Sequence, residues 1–211
     1  MVDLYTRIAL KTEFPFIVSI QRKDTVQYSH SVGVLIQSHL VLATCNLFLE
    51  SVKTPPEDEV EEGRFKHFRL IASGTVLVEN LQDPNAVDAQ VRFIENVHLH
   101  PKCNERNVEV EDLHVWRYDI AMVQLSFPFH LNLVEHKLEV INFKKEEGDP
   151  EGDLAEERLA RLFEFVKKRA ICLIVGWGRF VTIFSFTELS SRDYPPSPDL
   201  LVSTVRLSPF S

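Results

Sequence analysis

The residues able to do chemistry are few, and Asp119 is the first of them. It opens the stretch Tyr118-Asp119-Ile120-Ala121-Met122-Val123-Gln124-Leu125, where an acidic residue precedes an apolar run. The run and Pro128 beyond it predict a buried strand ending in a turn, with the carboxylate at its mouth. A carboxylate so placed either caps a turn or orients a neighbouring base. His98 and His100 stand two apart, so on a strand they share a face. That spacing permits a metal pair, but no third ligand is close in sequence, and edge histidines are expected. Pro55-Pro56 is followed by five acidic residues up to Glu62. A calcium loop needs oxygen ligands at ordered spacing, which this run lacks, so a solvated surface loop is expected. No metal and no cofactor is assigned.

Cysteines are three: Cys45, Cys103 and Cys172. An odd count leaves at least one unpaired within the chain. Cys45 lies in an apolar run, where a buried free thiol is the default. Cys103 is open to pairing with Cys172 or to remaining free.

Three blocks around these residues carry a pattern. Val32-Gly33-Val34-Leu35-Ile36 and Leu40-Val41-Leu42-Ala43-Thr44-Cys45-Asn46-Leu47-Phe48 flank the polar connector Gln37-Ser38-His39. The Asp119 block follows, and then Cys172-Leu173-Ile174-Val175-Gly176-Trp177-Gly178-Arg179. In this order they resemble the trypsin-like (chymotrypsin-fold, peptidase family S1) serine proteases, whose blocks read CGGSLI…WVLTAAHC, DIALL and CxxxGWG. Phe14-Pro15-Phe16-Ile17-Val18-Ser19-Ile20-Gln21 is similar to that family's PWQVSLQ strand. His100-Pro101 is similar to the His-Pro pair that precedes its acidic block. The resemblance runs from about Phe14 to Leu207.

It implies an all-β fold: a chymotrypsin-like double antiparallel β-barrel, the first barrel complete and the second partial. It also shows what has changed. In the family's TAAHC block the histidine slot holds Asn46, and the cysteine after it is Leu47. That cysteine's partner position is Ser31, so both halves of one bridge are replaced together, and Ser31 and Leu47 are expected to face each other. The Asp slot holds Asp119. The Ser slot is absent: no Gly-Asp-Ser-Gly occurs, and the chain stops at Ser211 before such a block. No IVGG-like tetrad precedes Phe14. In the family, Cys172 matches a cysteine whose partner lies beyond Ser211. His114, in the polar stretch before Asp119, is not expected to replace the base, which the family draws from the chain after its third strand.

The resemblance therefore implies a catalytically inactive homologue, a pseudoenzyme and not a peptidase. An Asn amide has no basic lone pair near neutral pH and cannot take the serine proton. Without the Ser region there is neither nucleophile nor oxyanion hole. The expected role is an extracellular binding or regulatory module with a protein partner, such as proteases or their substrates. The alternative is a serine-type endopeptidase represented by a truncated or misassembled sequence.

Bulk properties agree with one globular β protein. The chain has 211 residues, 45% hydrophobic and 26% charged, within the range of a single β-barrel chain. With 23 basic and 31 acidic residues the net charge is −8, which disfavours a nucleic-acid backbone as partner. No apolar run approaches the ~20 residues of a membrane helix, and no membrane partner is expected. Met1 to Arg7 lacks the layout of a secretion signal; secretion is implied by the family alone.

The elements expected to position these residues follow in order. Residues 1–13 form an N-terminal arm and 14–143 the first barrel. Residues 144–169 form a charged crossover with a surface helix around 153–168, where Asp153 and Glu156 make a start signature. Leu154, Leu159, Leu162, Phe163 and Val166 give it an apolar stripe. Residues 170–211 begin the second barrel. Ending there leaves an open strand edge and an uncovered apolar face.

Overall fold

A computed structural model describes residues 6–10, 13–23, 28–49, 65–72, 89–103, 106–110, 113–116, 118–132, 138–141, 160, 163–165, 167–168, 171–177 and 199–206. At 23, 28–30, 106–110, 113–116 and 205–206 the backbone alone is described.

The strands are β1 (Thr6–Ile8), β2 (Ile17–Lys23), β3 (Tyr28–Gln37), β4 (Leu40–Ala43), β5 (Phe68–Ala72) and β6 (Gln90–Leu99). They continue with β7 (Arg106–Val110), β8 (Leu113–Trp116), β9 (Ala121–Leu125), β10 (Ile171–Gly176) and β11 (Leu201–Arg206). Six of them close an antiparallel barrel in the order β2-β3-β4-β9-β6-β5. Side chains alternate across a strand, so Phe68, Leu70 and Ala72 of β5 point into one core with Val41 and Ala43 of β4. Ala121, Val123 and Leu125 of β9 join them. On β6 the inward residues are Ile94 and Val97, an odd spacing. The register shifts between Ile94 and Asn96, and this irregularity resets the phase of the strand.

Gly33 lies on the inner face of β3, opposite Val18. A Cβ there would come 2.5 Å from Val41 Cγ1 and 3.0 Å from Ile20 Cδ1. Glycine is therefore required by close approach of two core side chains rather than by backbone conformation.

The second body is a three-stranded sheet, β1-β11-β10. Its buried residues are Ala9, Trp177, Leu200 and Val202, packed with Phe14, Ile17, Val32 and Val175. Ile17 and Val32 belong to β2 and β3, so this small core is the seam between sheet and barrel. Gly176 fits there because a Cβ would lie 3.2 Å from Val32 Cγ2.

Several sequence expectations are corrected. Within the N-terminal arm, β1 pairs with β11 through Thr6↔Ser203, Arg7↔Val202 and Ile8↔Leu201. The Ala9 N–H donates to the Leu200 carbonyl at 2.7 Å, continuing the pairing. The polar stretch before Asp119 contains a hairpin, β7 with β8, pairing Glu109 with His114 and Val110 with Leu113. Helical backbone is described at Ala160, 163–165 and Lys167, but Phe163 does not pack inward; it is 57% exposed, as is Phe165 at 55%. Asp153, Leu154, Glu156, Leu159, Leu162 and Val166 lie outside the described residues, as does the acidic run after Pro55-Pro56. No helix among the described residues is long and apolar enough to cross a membrane.

Candidate functional site

Asn46 opens a 3-10 turn, Asn46–Phe48, that follows β4. Two flanking side chains hold it. Cys45 and Phe48 are both fully buried in the barrel core, and Phe48 packs on Phe68 with ring centroids 5.1 Å apart. Asn46 lies between these anchors and is left at the surface.

Asp119 enters from the other side of the chain, just before β9. β4 and β9 are paired, Ala43 opposite Ala121. Continuing both strands by two or three residues brings Asp119 beside Asn46. The Asn46 N–H donates to Asp119 Oδ1 at 2.8 Å. The two residues that the resemblance singled out thus meet, although 73 residues separate them. The carboxylate satisfies one of the donors left open at the start of the turn.

The backbone leading into Asp119 is unusual. Tyr118 has φ of 57°, the left-handed region, which costs a residue with a Cβ roughly 1–2 kcal/mol. A short turn closes there, the Ile120 N–H donating to the Tyr118 carbonyl at 2.7 Å. The Tyr118 ring stacks on His100 with centroids 4.9 Å apart and planes 4° from parallel. The Lys102 ammonium sits 5.3 Å from the centre of the same ring.

Cys45 and Cys103 form a disulfide. This overturns the expectation of a free buried thiol at Cys45, and of Cys103 paired with Cys172 or left free. Cys172 is the free cysteine among the described residues. Pairing depends on which segments meet in space, here the turn after β4 and the turn after β6, and spacing in the chain does not encode it. Cys45 Sγ lies 3.7 Å from the Tyr118 carbonyl oxygen and 3.5 Å from that of Cys103. As an oxidised sulfur it has no proton to donate, and these are packing contacts.

Among the described residues, His98 and His100 are not gathered with a third ligand. His98 is paired with Met122, and its Nε2 lies 3.5 Å from the Asn96 side-chain nitrogen. His100 Nδ1 accepts the Lys102 N–H at 3.2 Å. That hydrogen bond occupies the lone pair of His100 Nδ1. Among the described residues no group of three His, Cys, Asp or Glu side chains could hold a metal ion. None of the described histidine side chains hydrogen-bonds the Asp119 carboxylate. His114 is on β8, and its side chain lies outside the described residues.

What sequence reading missed here is the covalent link and the hairpin. The alternation of Val108, Val110, Leu113 and Val115 about Glu111-Asp112 is the signal that marks β7 and β8.

Chemically, the site offers one carboxylate, an amide side chain at Asn46, and a stacked aromatic pair. It can accept and donate hydrogen bonds. No family model matches the chain, and no curated protein sequence matches it.

Proposed function

We propose that this chain is a catalytically inactive trypsin-like serine protease homologue that acts as an extracellular binding or regulatory module. The observation that carries the reading is the hydrogen bond from Asn46 to Asp119 at 2.8 Å on a closed six-stranded antiparallel barrel. In a Ser-His-Asp site the carboxylate orients an imidazole that accepts the serine proton. Asn46 has an amide there, which is not basic near neutral pH, so residue 46 gives Asp119 no base to orient. The β10–β11 pair is read as the beginning of the family's second barrel, and 144–169 as an altered crossover.

The Cys45–Cys103 disulfide supports an oxidising compartment, since such bridges persist outside the cytosol. The partner class is protein, because the net charge of −8 opposes nucleic acid.

Activity assays on arginyl and aromatic peptide amides test the reading. The expected outcome is no turnover above buffer, with Asp119→Ala no different from the parent. Turnover that falls on Asp119→Ala would overturn it and favour an endopeptidase. A longer gene product restoring a serine would not by itself do so, because Asn46 would remain.

A further inference from the structure

The contacts around Tyr118 form a closed ring. Asn46 N–H donates to Asp119 at 2.8 Å. Asp119 follows Tyr118, whose carbonyl takes the Ile120 N–H at 2.7 Å and lies 3.7 Å from Cys45 Sγ. The Ile120 carbonyl accepts the His100 N–H at 3.0 Å, and the His100 carbonyl accepts the Cys103 N–H at 2.8 Å. The Cys103–Cys45 bond then returns to the residue before Asn46.

The links are hydrogen bonds and peptide units, apart from the packing contact of Cys45 Sγ on the Tyr118 carbonyl and the disulfide itself. Tyr118, with φ of 57°, is the strained member. It is 45% exposed, so burial of its ring does little to hold it. A left-handed tyrosine persists only where its surroundings over-determine it. The bridge joins the turn after β4 to the turn after β6, whose His100 N–H binds the Ile120 carbonyl. Cys45 is fully buried and Cys103 is 3% exposed, so the bridge is anchored in the core at both ends.

We propose that the Cys45–Cys103 disulfide is the lock that keeps Tyr118 left-handed and thereby aims the Asp119 carboxylate at the Asn46 amide. The bridge is a positioning device for Asp119, distinct from its general effect on the unfolded chain. This holds whether or not the protease-homologue reading is right, since it concerns the geometry of the ring alone.

The test is amide hydrogen exchange of Asn46, followed by NMR in the full chain. Asp119→Ala is expected to remove the protection of Asn46; unchanged protection would overturn the assignment of its acceptor. With both cysteines replaced, Cys45→Ala with Cys103→Ala, Asn46 should exchange roughly tenfold faster or more while the β2 and β5 amides stay protected. Adding Tyr118→Gly to that variant should restore Asn46 protection, because glycine adopts positive φ without the steric cost. A bridge that only stabilises the fold globally would not be rescued this way, so failure of rescue overturns the proposal. His100→Ala keeps the bridge, and should leave Asn46 protected even if the cysteine variant fails to fold. If His100→Ala releases Asn46, the aromatic stack is the lock and the proposal is wrong.

Discussion

The Asn46 backbone N–H donates to the Asp119 carboxylate at 2.8 Å, joining the turn after β4 to the residue before β9. The carboxylate is engaged by main chain, and the Asn46 side chain is left at the surface beside it. An imidazole substituted at that position should feel the negative charge. In Asn46→His we expect the new histidine to titrate above its ordinary value, because a nearby carboxylate favours the charged ring. Its contribution to stability would be complete below about pH 6.5 and lost as pH rises through the raised value. An NMR titration reads this directly, with Asp119→Asn as control. Equal midpoints in the two backgrounds would mean that side chain 46 does not face the carboxylate.

Removing the Cys45–Cys103 bridge should be costly. The linked residues are 58 apart, and the loop-closure estimate for that length is about 4 kcal/mol. Cys45→Ser with Cys103→Ser should therefore unfold at much lower denaturant, and the oxidised parent should lose the same stability under reductant. Coincident urea curves with and without reductant would show that the two thiols are not joined.

Gly33→Ala tests the packing of the barrel interior. Its Cβ would meet Val41 Cγ1 at 2.5 Å, and Val41 is fully buried. Overpacking of this kind typically costs about 1–3 kcal/mol. Thermal unfolding should fall accordingly, whereas a neutral outcome would place Gly33 on the outer face.

Glu13 reports on the N-terminal arm. Its carboxyl is lowered from 4.5 to about 2, first by the hydrogen bonds from Arg7 and then by the Leu10 N–H. Arg7 Nη1 donates to it at 2.7 Å and Leu10 N–H at 2.9 Å. A depressed folded value means the contribution is present above about pH 4.5 and is lost as pH falls towards 2. The carboxyl carbon shift of Glu13 should follow that low midpoint. A midpoint near 4.5 would mean that the arm does not fold back on itself.

The proposed family reading makes Ser31 and Leu47 former bridge partners. Ser31 sits on β3 opposite Ile20, and Leu47 packs against the barrel core from the 3-10 turn. The double variant Ser31→Cys with Leu47→Cys should close a second disulfide on air oxidation, seen as the loss of two hydrogens by mass. Two persistent free thiols would count against that alignment.

Local pattern was enough for much of the barrel. The period-two alternation of Phe68-Leu70-Ala72 and Ala121-Val123-Leu125 marks inward faces, because side-chain direction on a strand is a local property. The acidic residue ahead of an apolar run likewise marked Asp119, and the resemblance to a protease pattern, not local pattern, set it beside Asn46. Other features were not legible at that level. The Cys45–Cys103 bond, the pairing of β1 with β11 and the exposure of Phe163 depend on which distant segments meet. Residues 6–8 and 201–206 are joined by main-chain hydrogen bonds, whose donors and acceptors are the same in every residue and leave no mark in the order of side chains. The amino-acid sequence determined which faces are apolar and which residue types stand near the site; the fold decided which of them touch, because contact between remote segments is set by closure of the barrel and packing at its seam.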